Sequence, residues 1–337
     1  MKAIAYQKAG ALDRIDALVD VDLEAPVAKG HDLLVKVEAI SVNPVDYKIR
    51  KNVSPAEGAW KVLGWDAVGT VVGIGEKVSA FAKGDHVFYA GSLIRQGANS
   101  EYHLVDERLV GKKPETLSNT EAAALPLTAI TAWEMMFDRI DIRNPVPGAA
   151  KAILIIGGAG GVGSIAIQLA RALSDVTVIA TASRPETKAW VEELGAHHVI
   201  DHTKPLAEQI AALGIGAPAF VFSTTETHRH LDQIIELIAP QGRFGLIDDP
   251  DTLNVMGFKR KSVSIHWELM FTRSIFETAD MAEQGKLLNK VAKLIDDGRI
   301  KTTLAEVFRP INAENLRKAH AILESGKSKG KIVLEGF

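Results

Sequence analysis

The feature that most constrains this chain is a cluster of glycines inside an uncharged run, residues 152–170. Ile153-Leu154-Ile155-Ile156 has the composition of a buried strand. Gly158-Ala159-Gly160-Gly161-Val162-Gly163 follows after a single glycine, and Ser164-Ile165-Ala166-Ile167-Gln168-Leu169-Ala170 continues as a buried helix would. The run is long enough to cross a bilayer. Its central glycines would cost a membrane helix its propensity, so no membrane segment is expected. Strand, tight turn and helix explain the same apolarity, in the pattern GxGxxG. In this arrangement Gly158 allows the turn, Gly160 lets the backbone approach a pyrophosphate, and Gly163 lets the helix pack on the strand. The helix N-terminus, with Gly161 and Val162 in its first turn, supplies amides and partial positive charge. A lone GxGxxG is a weak signal. Here it sits at the strand-to-helix junction and a second strand ends about 20 residues later, so a bound dinucleotide is expected.

The end of that second strand, 177–182, selects the dinucleotide. An NAD site places Asp or Glu there to receive the ribose hydroxyls, whereas this chain has Thr181-Ala182-Ser183-Arg184, with Lys188 one turn onward. Arg184 and Lys188 can pair with a 2′-phosphate and Ser183 can donate to it, which favours NADPH. The plainer alternative is that both cations merely solvate a helix start.

Around the motif, strand-like segments at 153–156, 177–182, 199–200, 219–222, 243–247 and 262–266 alternate with helical ones, the rhythm of a doubly wound parallel sheet. The preceding part reads as short strands, 33–40, 68–74 and 86–89. Its glycines at 64, 69, 73, 75 and 84 suit a compact barrel. Ser118-Asn119-Thr120-Glu121 is a capping box near a boundary at about residue 120, and 131–137 reads as a further helix. Helices are also expected over 280–297, closed by Gly298, and over 312–325, with a last strand at 331–334 returning to the first domain. The expected division is 1–121, 122–267 and 268–337.

Composition narrows the function. A chain of 337 residues, 47% hydrophobic, can bury sizeable cores in two domains. A net charge of -3 gives no broad attraction to nucleic acid or an acidic membrane, so a small-molecule substrate is expected. The absence of cysteine removes disulfides, thiolate catalysis and cysteine-built metal sites, leaving His, Asp and Glu as metal ligands, and it fits a cytoplasmic protein. Residues 1–6 begin like a strand, with no basic leader and long apolar segment.

The segment 153–201, including Gly195-Ala196-His197-His198-Val199-Ile200-Asp201, resembles the cofactor segment of zeta-crystallin-like quinone oxidoreductases, a branch of the medium-chain dehydrogenase/reductase superfamily. Asn43-Pro44-Val45-Asp46, Gly64-Trp65-Asp66-Ala67-Val68-Gly69, 121–133 and 326–334 resemble family signatures in the same order, so the resemblance covers nearly the whole chain. It implies an α/β architecture: a GroES-like, partly open β-barrel catalytic domain and a doubly wound Rossmann sheet. The nearest subgroup is zinc-type alcohol dehydrogenase-like. Where zinc-dependent relatives place Cys, His and Cys, motif matching gives Asn43, Trp65 and Leu127, and the four-cysteine lobe is missing, so no zinc is expected. His197-His198, His228 and His230 read as surface residues.

The resemblance further implies a nicotinamide near Asn43, Asp46, Trp65, Thr128 and Thr131, and hydride transfer to a small electrophile. Without a Lewis acid, a quinone or α,β-unsaturated carbonyl is the better acceptor, because it already delocalises the incoming charge onto oxygen. Asn43 could donate to that oxygen, and Tyr47 or Lys48 could donate a proton; the family often has Tyr where Lys48 stands. Asp46 either joins this chemistry or braces its loop, and Trp65 either stacks on the acceptor or fills the core. Asp66 and Leu127 complete the expected pocket. His202 stands where the family often has Tyr near the adenosine phosphate, and Lys331 lies in a basic segment that closes beside the cofactor. A homodimer through edge strands at 262–266 is implied. The alternatives are a carbonyl or alcohol oxidoreductase of the same fold and a non-enzymatic NADPH-binding sensor.

Overall fold

A computed structural model describes all 337 residues, which form two compact units: Thr131–Met270, and Met1–Ile130 together with Phe271–Phe337. The first of these contains a six-stranded sheet in the order His198–Ile200, Thr177–Thr181, Ala150–Ile156, Pro218–Ser223, Arg243–Leu246, Ser264–Trp267. Every pairing in it is parallel. The strand order reverses beside Ala150–Ile156, the position at which open parallel sheets bind ligands beyond their strand ends. Central strands of such a sheet are covered on both faces, which is why they read as unbroken apolar runs. Leu154, Ile156, Ile179, Val221, Phe244 and Leu246 form its core, each contributing about 1.5–3 kcal/mol by burial.

The helix Gly161–Leu173 leaves the glycine turn and ends where the Ser174 hydroxyl donates to the Ala170 carbonyl at 2.6 Å. Over the expected helix at 131–137 the structure differs. Ordinary turns run through Pro126–Trp133, and the next stretch, Glu134–Arg139, widens so that the Ile140 amide reaches the Met135 carbonyl.

The other unit is built mainly on the long strand Asp32–Ser41, which pairs antiparallel with Ala67–Ile74, Tyr102–Asp106 and Lys331–Glu335. Burial alternates along most of it, as one solvent-facing side requires. His86–Tyr89, Val110–Lys112 and Leu304–Phe308 extend the sheet, and Val19–Asp22, Lys2–Tyr6 and Lys61–Val62 make a smaller one. The last strand therefore does return: Val333 lies opposite Ser41, which carries Lys331 to the start of the Val42-Asn43 segment. The Ser118–Glu121 capping box is formed in both directions, at 2.9 and 3.3 Å. The late helix spans Glu283–Asp296, with Gly298 at φ +68° just beyond it. No helix is long and apolar enough to cross a membrane.

Candidate active site

The glycine turn does what its pattern requires, with one redistribution. The left-handed backbone belongs to Gly157, at φ +81°, and not to Gly158. What restricts Gly158 is space, since a Cβ there would lie 2.9 Å from Ala180 Cβ. At Gly163 a Cβ would meet the Gly157 carbonyl oxygen at 2.3 Å, so helix and turn touch backbone to backbone. Gly160 is different. A Cβ there would come no closer than 3.5 Å to any atom, an ordinary van der Waals distance, at the N-cap of the helix Gly161–Leu173. Gly160, Gly161 and Val162 are half-buried, and the first amides of the helix have no intrahelical partner. The turn is tied to the second strand by Gly157 N–H donating to Thr181 Oγ1 at 3.0 Å and Gly158 N–H to the Thr181 carbonyl at 3.2 Å. This is a cradle that fits a pyrophosphate.

Beyond Thr181 and Ala182, both buried, come half-buried Ser183 and Arg184. Arg184 pairs with Glu186 at 2.9 Å and Lys188 with Asp201 at 3.7 Å. These cations already have partners, but such exposed pairs hold about 0–1 kcal/mol each and can be exchanged for a phosphate. Hydrogen bonds from Thr203 help to keep the Asp201 carboxylate below its ordinary range. Burial pushes His202 down, opposed by Asp201. Contrary to the expectation of a surface residue, His230 is half-buried and held down by burial and by the neighbouring His202 ring. Sequence spacing could not find this, because the two histidines belong to different elements.

The second constellation lies in the barrel-like unit. Asn43 caps the helix Pro44–Asn52 and is 1% exposed. Its Nδ2 donates to Asp66 Oδ2 at 2.8 Å, and its Oδ1 accepts from Lys331 Nζ. Lys331 also donates to Asp66 Oδ2 at 2.9 Å and to the Val42 carbonyl at 2.9 Å. The three side chains close a ring. Asp66 Oδ1 meanwhile accepts the Leu127 amide at 2.7 Å. Burial raises the pKa of the Asp66 carboxyl, an effect that the Lys331 ammonium and the Asn43 and Leu127 donors oppose without cancelling. Lys331, expected beside the cofactor, is 3% exposed, and its ammonium donates to protein oxygens.

Asp46 accepts hydrogen bonds from two backbone amides. One oxygen accepts the Asn43 amide at 2.6 Å and the other the Gly64 amide at 3.0 Å, which braces the loop, while burial raises its pKa to about 7. Tyr47 is half-buried with Lys51 over its ring, outside the Asn43–Asp66–Lys331 ring, and Lys48 is half-buried on the same helix. Trp65 is a core aromatic and not an exposed platform: it is 1% exposed, donates to the Ser92 carbonyl at 3.0 Å and meets Phe271 edge-on. Leu127 and Thr131 are buried, and the buried Thr128 hydroxyl donates back to the Leu125 carbonyl.

A zinc ion does not fit these residues. Asn43 is engaged in the ring, the Trp65 indole N–H is spent and Leu127 offers no ligand. No group of three or more His, Cys, Asp or Glu side chains could hold a metal. In the other unit, Glu268 lies beside Glu134 and pairs with Arg139 at 2.8 Å. Burial and Glu134 raise the Glu268 pKa to about 8. No local pattern announces this pair, whose members are far apart in sequence.

Residues 29–115 match the alcohol dehydrogenase GroES-like domain, and residues 194–334 match the family described as zinc-binding dehydrogenase. A zinc-type alcohol dehydrogenase-like protein of Staphylococcus aureus strain MSSA476 is 42% identical over 338 residues, covering 99% of each chain. A chloroplastic quinone-oxidoreductase homolog of Spinacia oleracea is 37% identical over 347 residues, covering 99% of this chain and 98% of its own. A crystal structure from Rhizobium etli CFN 42, of a protein provisionally called a zinc-dependent alcohol dehydrogenase, is 62% identical. It superposes with a TM-score of 0.99, covering 100% of this chain and 98% of that one. The parallel sheet with its glycine turn, the barrel-like unit and these full-length likenesses lead to one conclusion: the chain is an oxidoreductase that belongs to the medium-chain dehydrogenase/reductase superfamily, in its quinone-oxidoreductase-like branch.

Proposed function

We propose that this protein is an NADPH-dependent, zinc-free reductase of quinones or α,β-unsaturated carbonyls. The observation that carries the reading is the closed Asn43–Asp66–Lys331 ring, which occupies Asn43 at a position where zinc relatives keep a ligand and leaves it one amide N–H. NADPH, when bound, supplies the hydride. The amides of Gly161 and Val162 hold the pyrophosphate, with Gly160 leaving room for its approach. Ser183, Arg184, Lys188 and His202 take the 2′-phosphate end, where no carboxylate stands at the second strand's tip. Asn43 donates to the acceptor oxygen as negative charge develops on it. Tyr47, Lys48 or water completes the protonation. A conjugated acceptor suits a site whose polar groups donate hydrogen bonds but offer no metal ligand set.

The test is oxidation of NADPH by the metal-stripped protein with p-benzoquinone, an enal and a simple ketone, repeated with NADH. Turnover of quinone or enal with NADPH preferred is expected. Turnover of the ketone alone turns the reading to a carbonyl oxidoreductase, and cofactor binding without turnover turns it to a sensor.

We infer in addition that two copies pair through the strand Ser264–Trp267. It is the outermost strand of the parallel sheet, and Trp267 and Leu269 beside it are 56% and 52% exposed. Sedimentation should give a dimer that Trp267→Lys weakens; a wild-type monomer at micromolar concentration ends the idea.

A further inference from the structure

The Lys331 ammonium has three N–H groups, and all three have acceptors: the Val42 carbonyl, Asn43 Oδ1 and Asp66 Oδ2. Nothing remains for a phosphate or a substrate. Its effect has to pass through what it holds. Asn43 has an amide whose two ends are nearly identical in shape, so packing alone cannot choose which end faces a ligand. The ring does choose. Lys331 can only donate, so it takes the oxygen; Asp66 Oδ2 accepts from that same ammonium and also from the Asn43 nitrogen, at 2.8 Å. The opposite orientation would set Nδ2 against the ammonium and Oδ1 against the carboxylate, at 3% exposure or less for all three residues.

We propose that Lys331 is a positioning residue for hydride transfer, fixing Asn43 with its oxygen turned to the ammonium and one N–H left for the acceptor oxygen. This rests on the reading of Asn43 as that donor. If the amide turned over, it would present a lone pair to the oxygen on which negative charge collects, and the donor would become a source of repulsion. Donation by Lys331 to Oδ1 also polarises the amide, so that its remaining N–H is a stronger donor. Asp66 completes the device by neutralising the buried ammonium, and by accepting the Leu127 amide it anchors the ring to a further segment.

The experiment uses the full-length protein, NADPH and whichever acceptor turns over best, with Lys331→Met, Asn43→Ala and the double variant. Lys331→Met should lower kcat by between about tenfold and a hundredfold, with the NADPH Kd, read by nicotinamide fluorescence, within about twofold of wild type. In the Asn43→Ala background the same change should lower kcat no further, as coupled groups require. A weakened NADPH Kd with kcat retained would make Lys331 a cofactor contact and overturn the proposal. An equal loss of kcat with and without Asn43 would overturn it too, leaving the donor reading intact. Full activity of Asn43→Ala removes the donor reading itself, as does the absence of turnover with every acceptor. Should Lys331→Met fail to fold, because Asp66 is left as an unpaired buried charge, Asp66→Asn with Lys331→Met removes both charges together. That variant should show the same loss of kcat, and full activity in it would count against the proposal.

Discussion

The glycine turn and the Asn43–Asp66–Lys331 ring make opposite use of the chain. The turn is continuous, Gly157 to Gly163, and its requirements are written on the backbone: a positive φ at Gly157, close contact at Gly158 and Gly163, and only ordinary contact at Gly160. The ring uses side chains from distant segments, with Lys331 and Asn43 separated by 288 positions. A local motif shapes a surface for a ligand common to many chains, while an assembled cluster fixes one donor. Substitutions in the two should therefore fail in different observables.

The largest separation should come from Asn43→Ala, which removes the proposed donor: kcat falls by about a hundredfold or more while NADPH binding is retained. Weakened cofactor binding at constant kcat would break the comparison. Next, Gly163→Ala forces a Cβ against the Gly157 carbonyl oxygen at 2.3 Å, and because backbone must move it should cost about 1–3 kcal/mol, read from urea denaturation, and lose cofactor binding as well. Gly160→Ala sharpens the contrast within the turn. No protein atom would lie closer than 3.5 Å, so stability should stay within about 0.5 kcal/mol while NADPH affinity drops by about tenfold, one methyl standing where the pyrophosphate must approach. Equal stability losses at both glycines would show that Gly160 is structural.

The smallest effect is in the pH dependence of stability. Asp46, raised to about 7, and Glu268, raised to about 8, hold protons in the folded state that the unfolded chain releases near pH 4. Their stabilisation is complete at low pH and is lost as pH rises through those values. His103 and His320, held by burial at about 4 and about 3, act in the reverse sense, but only below the ordinary histidine range. The carboxyl groups thus act unopposed between about pH 6.5 and 8. Stability should decline across that interval, with the decline reduced in Asp46→Asn. A flat urea midpoint across that interval would contradict this account.

How much the sequence disclosed follows the same division. The alternation of strands with helices and the capping box were legible because each rests on periodicity or on contacts within a few residues, whereas the pairing of the C-terminal strand with Asp32–Ser41 spans nearly the whole chain. Gly158 was given the turn that Gly157 makes, since a glycine's φ and its packing leave the same letter. Trp65 suited core and pocket equally until its N–H was found on Ser92. Asp46 is open between chemistry and bracing in the sequence, and the structure adds two backbone amides on its oxygens that brace the loop. The widening at Glu134–Arg139 left no sign, because apolar spacing there fits ordinary turns equally well.

By itself the sequence determined a parallel dinucleotide-type sheet, a strand-rich partner unit and a glycine turn followed by cationic residues. Local backbone preference and apolar period act over short stretches of chain and can be read without coordinates. Only the tertiary structure decided that Lys331 faces Asn43 and Asp66, that His202 comes near enough to act on the charge of His230, and that Glu268 lies beside Glu134. Buried charge is tolerated only where partners satisfy it, and which partners arrive depends on strand pairing and chain return across hundreds of residues, information that no window of sequence contains.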